Sequence, residues 1–153
     1  MKRIEVKLAL PVVAPLLDVV RELADGLGRA PAGLAQPPDQ DPEFKAAWVD
    51  ELVRGQAEEV KTLLALFGDE FFADGVVAFD EENAEPVVRA CAAVRLRLRE
   101  LFLNSLGDDL LESGDVEPSR LEEPVRRAFF CYLFLATVQE LVIQHLDGGI
   151  LGN

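Results

Sequence analysis

The most apolar stretch of the chain, AFFCYLFLATVQELVIQHL at residues 128–146, limits what the protein can fold into. Its fully apolar part ends at Val138, whereas a helix that crosses a bilayer needs about twenty such residues. Glu140, Gln144 and Asp147 then gather on one side of the predicted helix. A helix that is apolar all round and then amphipathic is typical of the centre of a helical bundle, so we predict a central helix and no membrane span.

Three further helices are predicted from hydrophobic periodicity. The first begins near Pro15 and runs to Leu27, and the second begins at Asp41-Pro42 and runs to Phe67. The third begins at Asp80 or Asn83 and reaches about Leu106. The four helices together indicate a bundle.

The start of the last helix has two alternatives. Ser119 and Glu122 have the spacing of a capping box, which would begin the helix there. Pro124 lacks a backbone N–H, so either the helix begins closer to Glu123 or its first turn is kinked. Asp147-Gly148 is the predicted end, where Ile150 could fold back onto the helix after a glycine cap.

Two short segments have strand character. Ile4, Val6, Leu8 and Leu10 alternate along the chain, and Val76–Phe79 is a second candidate that could pair with residues 4–8. DGLGRAPAGLAQPPDQDP is rich in Gly, Pro and Asp and is predicted to be a loop. The expected fold is a single mostly helical domain over residues 1–153, a bundle of about four main helices that allows a minor two-stranded β element.

The charge of the chain restricts its partners. A formal net charge of −13 repels phosphate backbones and anionic membrane surfaces, so we expect neither nucleic acid nor membrane as a partner. A basic partner protein, or a charge that serves only solubility, fits this field better. The N-terminal apolar run is interrupted by prolines and lacks a small-residue cleavage site, so we predict no signal peptide and a cytoplasmic protein.

Templates for catalysis and for metal binding are missing from the sequence. His145 is the single histidine, and it lies five residues after Glu140, so the two do not share a helical face. Cys91 and Cys131 are far apart in sequence and are expected to be buried free thiols. No Cys-x-x-Cys, no Gly-x-Ser-x-Gly and no glycine-rich phosphate loop occurs. We therefore predict no catalytic residue, no metal site and no cofactor.

Arg95 is the exception among the charged residues. On the wheel of the third helix it lies among apolar side chains, between Cys91 and Phe102. An isolated buried charge is costly, so a guanidinium there must meet a carboxylate, several carbonyls or a bound anion. We predict a buried polar cluster in which Arg95 pairs with a carboxylate, assisted by two amides. Its candidate members are Glu59, Glu140, Gln56 and Gln139.

Two roles remain open for this cluster. It could simply set the register of the helices, or it could be a site for a small anionic ligand between them. The substitution Arg95→Met separates the two roles. If the stability of the protein barely changes but a ligand or partner is lost, the register role is excluded.

Two segments of the sequence resemble a known family. VAFDEENAEPVVRACAAVRLRLREL followed by YLFLATVQELVIQHL is similar to the helical bacterial family catalogued as domain of unknown function two thousand seventeen. Arg95-Leu96-Arg97-Leu98 and Val138-Gln139-Glu140 occupy the places of its motifs, over roughly residues 41–146. The resemblance implies a helical fold and transfers no catalytic residue. Members are often encoded beside a protease adaptor, which implies a regulatory role.

We therefore expect an interaction or regulatory module without enzymatic activity, binding a partner protein that the sequence does not name. The alternative is a domain centred on a buried Arg95 that binds a small anionic ligand or acts as an enzyme. A homodimer is a third option. Leu96 and Leu103 lie seven residues apart on the otherwise polar side of the third helix and could form the dimer contact.

Overall fold

A computed structural model describes residues 2–27, 29, 32 and 41–146 of the chain. The predicted end of the last helix beyond residue 146, including the contact of Ile150, and most of the predicted loop lie outside these residues. The elements in chain order are β1 (Arg3–Lys7), α1 (Leu10–Leu27), α2 (Pro42–Leu66), α3 (Asp69–Asp74), β2 (Val76–Asp80), α4 (Ala84–Leu101), α5 (Asp108–Ser113) and α6 (Glu123–Leu146), with a 3-10 turn at Pro118–Arg120 before α6. The mostly helical fold is confirmed.

The two predicted strands form a small antiparallel sheet. Arg3 pairs with Asp80 at one end of the ladder and Lys7 pairs with Val76 at the other. The side chains of Val77 and Phe79 point into the core, each with an exposure of 1%. The minor two-stranded element is therefore confirmed, and the apolar face of β2 is buried.

The predicted central position of the last helix is confirmed, and α4 shares that position with it. α6 packs against α4 and α1, and α4 also packs against α2. Buried side chains occur along nearly the full length of α6, because its sequence is apolar on all sides at first. They are Ala128, Phe129, Cys131, Tyr132, Leu135, Val138, Val142 and Leu146.

By length and composition alone, α6 could also cross a membrane. It is one helix of the described part of the chain that passes this test, and the core helix of a globular protein passes it equally well.

The predicted start of α1 and the predicted end of α4 are wrong. α1 begins at Leu10 and accommodates Pro15, which is exposed, so the carbonyl left without its helical donor can meet solvent. α4 ends at Leu101 instead of Leu106, where the backbone amides of Phe102 and Leu103 both donate to the carbonyl of Leu98. This turn directs Leu103 into the core, and its burial outweighs the continuation of the helix.

The start of α6 follows the second of the two predicted alternatives. The helix begins at Glu123, and the amide of Arg126 donates to the carbonyl of Glu122 over 2.8 Å. Pro124 thus lies in the first turn, where a backbone N–H has no helical partner in any case. Ser119 belongs to the separate 3-10 turn.

Candidate functional site

Arg95 lies at the edge of the buried face of α4. It follows Cys91 by one helical turn, and Cys91 and Val94 beside it are fully buried. Arg95 itself is half-buried, which corrects the prediction that it is enclosed in the core. The long stem of an arginine lies along apolar surface while its charged head reaches towards water, and this explains how α4 tolerates it.

The guanidinium of Arg95 is held by two residues of α6. Nη1 donates to Oε1 of Gln139 over 2.5 Å, and Nη2 donates to the hydroxyl of Tyr132 over 3.0 Å. The guanidinium carbon also lies 4.4 Å from the centroid of the Tyr132 ring, so the ring attracts the cation through its face. Both partners are electrically neutral.

Gln139 links α6 to α4 a second time. Its Nε2 donates to the backbone carbonyl of Val88 over 2.9 Å, and this bond determines which end of the amide faces Arg95. Tyr132 and Gln139 are seven residues apart on α6 and therefore share one helical face. Gln139 was a predicted member of the cluster and Tyr132 was not, although the seven-residue spacing of the two on one helix could have revealed Tyr132.

The other three predicted members of the cluster lie elsewhere. Glu59 faces Arg89, with an N–O distance of 3.9 Å, and burial raises the pKa of Glu59 while Arg89 opposes that shift. Gln56 binds both the amide and the carbonyl of Ala32. Glu140 is exposed and accepts a hydrogen bond from Gln144.

The expected ion pair of Arg95 with Glu59 or Glu140 is therefore wrong. Arg89 precedes Arg95 by six residues, which places Glu59 about 9 Å away along the axis of α4. A helical wheel gives the direction of a side chain but not its position along the axis. Glu140 follows Gln139 by one residue and is rotated by about 100°, towards solvent.

Arg95 differs from most other arginines in having no carboxylate partner within the described part of the chain. Eight of the eleven arginines lie within 3.9 Å of a carboxylate oxygen, and they are Arg3, Arg21, Arg29, Arg54, Arg89, Arg97, Arg99 and Arg126. The other two, Arg120 and Arg127, are exposed. Nε of Arg95 is buried and has no hydrogen-bond acceptor among the described residues. The charge of Arg95 is thus positioned by dipoles without being neutralised.

A groove of about 310 Å³ opens over Arg95, and we call it the Arg95 groove. Its wall from α4 consists of residues one turn apart, and α5 and α6 each add one side chain. The lining residues are Ala92, Arg95, Leu96, Arg99, Glu112 and Tyr132. Arg99 forms an ion pair with the exposed Asp108. Two guanidiniums and the carboxylate of Glu112 therefore line the groove, and the rest of its wall is formed by Ala92, Leu96 and Tyr132.

The two leucines proposed as a dimer contact are not on a common surface. Leu96 is 41% exposed, but Leu103 is fully buried beyond the end of α4. The prediction of a strip formed by Leu96 and Leu103 is wrong, because it assumed that the helix continued through Leu103. Leu96 instead forms the rim of the Arg95 groove.

A second surface feature lies on the first half of α2. We define the α2 face as Phe44, Trp48, Val49, Leu52 and Val53. Every residue of the helix before Val60 is exposed or half-buried, and Phe44 is 41% exposed with its ring stacked on that of Trp48. The two buried side chains of α2, Val60 and Leu63, therefore both lie in its second half.

The cysteines and the histidine differ in their surroundings. Cys91 and Cys131 are buried free thiols, and burial raises the pKa of each to about 12. His145 is exposed near the end of α6. Over the described part of the chain, no three His, Cys, Asp or Glu side chains converge as a metal site would require.

Comparison with known proteins gives one match. No curated protein and no solved structure matches the chain significantly. The family model described as "Domain of unknown function (DUF2017)" matches residues 11–146, which includes every helix described above except the first residue of α1. The chain therefore belongs to the DUF2017 family.

Proposed function

We propose that this protein is an interaction module without enzymatic activity, and that its α2 face binds an amphipathic segment of a partner protein. The observation that carries the proposal is the incomplete burial of this face: Phe44 is 41% exposed, and Trp48, Val49, Leu52 and Val53 are half-buried. A helix of 25 residues buries only two side chains, although its first half carries five large apolar residues. Exposed apolar patches bounded by polar residues are a common mark of protein-interaction sites.

The shape of the surface supports a partner segment. A groove of about 630 Å³ runs beside the first half of α2. Its lining combines apolar side chains with a few charged ones, and consists of Arg29, Pro42, Lys45, Ala46, Val49, Asp50 and Val53. A groove of this composition suits a helix that contributes apolar anchors at intervals of three and four residues.

The charge around the α2 face favours a basic partner. Four carboxylates and two cations are exposed along the first half of α2, and they are Asp41, Glu43, Asp50, Glu51, Lys45 and Arg54. The whole chain has a net charge of −13, which attracts a basic segment and repels a second copy. We therefore assign the face to a partner helix with lysine or arginine on its polar side. A regulatory role in the cytoplasm is consistent with such a partner.

The chain contains a built-in probe for this interaction. Trp48 lies on the α2 face and is the single tryptophan, so its fluorescence reports directly on that surface. The test is a titration with a synthetic helical peptide made of leucine and lysine, which has an apolar face and a basic face. We expect saturable binding with a dissociation constant in the micromolar range and a blue shift of Trp48 emission.

Two matched variants show where the peptide binds. Phe44 and Phe130 are each 41% exposed, but only Phe44 belongs to the α2 face. Phe44→Glu should weaken binding at least about tenfold, whereas Phe130→Glu, which adds the same charge, should leave it nearly unchanged. Equal weakening by both variants, or no change in Trp48 emission, contradicts the proposal. The result could also assign the face to a second copy of the chain. In that case the molecular mass of the protein would double as its own concentration is raised, and Phe44→Glu would restore the mass of the monomer.

A further inference from the structure

We propose that the Arg95 groove binds a small monocarboxylate whose acid group pairs with Arg95. The groove lies between α4, α5 and α6. The site is independent of the α2 face, so either proposal can fail without the other. Four features of the groove support it: an unneutralised charge, a rigid support, a second cation and an apolar wall.

The charge of Arg95 is available to a ligand. Each terminal nitrogen of a guanidinium carries two N–H groups, and the contacts of Arg95 with Gln139 and Tyr132 use one on each. One N–H on each terminal nitrogen therefore remains without an acceptor among the described residues. Both described acceptors of Arg95 are neutral, and no described acidic residue forms an ion pair with it, although the chain has 28 acidic residues. A carboxylate with two oxygens supplies the missing acceptors and the missing negative charge.

The support of Arg95 is arranged before any ligand arrives. Gln139 is anchored by its bond to the carbonyl of Val88, and Tyr132 is 3% exposed within the core. The guanidinium is therefore restrained from both sides, and a ligand does not need to order it. Restraint of this kind increases affinity, because the conformational entropy of the long side chain is already lost on folding and is not lost again when the ligand binds.

The remaining walls define the ligand further. Arg99 lies one turn after Arg95 and adds positive charge, and its present partner Asp108 is exposed and can exchange with water. Leu96 and Ala92 offer an apolar surface to the body of the ligand. Glu112 on the α5 side disfavours a second acid group. A volume of about 310 Å³ lies at the lower end of the range for ligand pockets, so the ligand is small.

The test uses three small molecules of similar size. Butanoate is the monocarboxylate, butanamide is its uncharged counterpart, and inorganic phosphate is an anion of a different class. Binding is followed by nuclear magnetic resonance, using the backbone amides of Ala92 and Leu96 and the side-chain Nε–H of Arg95. We expect butanoate to shift these signals saturably with a dissociation constant of about 1 mM. Butanamide and phosphate should each bind at least about tenfold more weakly.

Two variants of exposed residues on α4 locate the site without disturbing the core. Leu96 is 41% exposed on the rim of the groove, and Leu101 is 54% exposed outside it. Leu96→Asp should weaken butanoate binding at least about tenfold through charge repulsion, and Leu101→Asp should leave it nearly unchanged. Phe44→Glu should also leave it unchanged.

Three results overturn the proposal. Equal shifts with butanamide mean that the groove recognises only apolar bulk. Equal or stronger binding of phosphate means that the class of ligand is wrong. The absence of saturation up to about 100 mM butanoate, which is far above the expected constant, means that Arg95 serves only to join the helices.

Discussion

Gln139 and Arg95 join α6 to α4 through a hydrogen bond of 2.5 Å between Oε1 and Nη1. The same amide donates to the carbonyl of Val88, so one side chain satisfies both a charged donor and a backbone acceptor on the opposite helix. The contact lies at the most extensive helix–helix packing in the chain, between α4 and α6. Its loss therefore affects the centre of the fold.

Gln139→Leu should destabilise the protein by about 2 kcal/mol, because Arg95 loses one of its two acceptors and the carbonyl of Val88 loses a donor. The measurement is the free energy of unfolding from urea denaturation. Gln144→Leu is the matched control on the same helix, since Gln144 is exposed and bonds only to Glu140. It should change stability by less than about 0.5 kcal/mol. Similar losses of unfolding free energy in both variants would show that the contacts of Gln139 add little to stability.

The two leucines at the end of α4 should respond very differently to truncation. Leu103 is fully buried, so Leu103→Ala leaves a cavity and should cost about 2–5 kcal/mol of unfolding free energy. Leu101 is 54% exposed, and Leu101→Ala should stay within about 0.5 kcal/mol of the parent protein. A mild effect at Leu103 in thermal and urea unfolding would contradict the inward turn after α4.

The two thiols should be unreactive in the folded protein. Burial raises the pKa of Cys91 and of Cys131 from about 9 to about 12, so almost no thiolate is present at pH 8 and access is blocked. Ellman's reagent should therefore modify neither thiol without denaturant, and both within minutes in urea. Cys91→Ala should reduce the number of thiols that the reagent modifies in urea from two to one. Rapid modification of the native protein would show that this part of the core opens readily.

The same thiols should make the free energy of unfolding fall at alkaline pH. A raised pKa means that the folded state holds the thiol proton more firmly than the unfolded state does. The contribution of the two protonated thiols to the free energy of unfolding is complete below about pH 9. It is lost as the pH rises towards 12.

Glu59→Gln should stabilise the protein at neutral pH. Burial raises the pKa of Glu59 above its ordinary value of 4.5, so the folded state favours the protonated form and stability falls as the pH rises through that region. A neutral glutamine removes this penalty, although it also removes the weak contact with Arg89. The check is the difference in unfolding free energy between variant and parent, measured from pH 4 to pH 7, which should grow with pH. Glu58→Gln, at an exposed neighbour, is the control, and a difference that does not depend on pH would contradict the assignment.

The helical class, the four long helices and the paired strands were all predictable from the sequence. Hydrophobic periodicity and proline and glycine positions act locally, over one or two turns, and this range is sufficient to define an element. The largest boundary errors, at the start of α1 and the end of α4, occurred where burial or solvent access outweighed the local signals. Pro15 and Leu103 are the residues concerned.

The unusual position of Arg95 could also be recognised from the sequence alone, because a helical wheel places each side chain at a known angle around its own axis. The partners of Arg95 could not be recognised from the sequence, because they depend on the relative positions of neighbouring helices along their axes. That translation placed Glu59 beside Arg89 and brought Gln139 and Tyr132 to Arg95. It is decided by the packing of many side chains at once across α2, α4 and α6, which no single segment encodes.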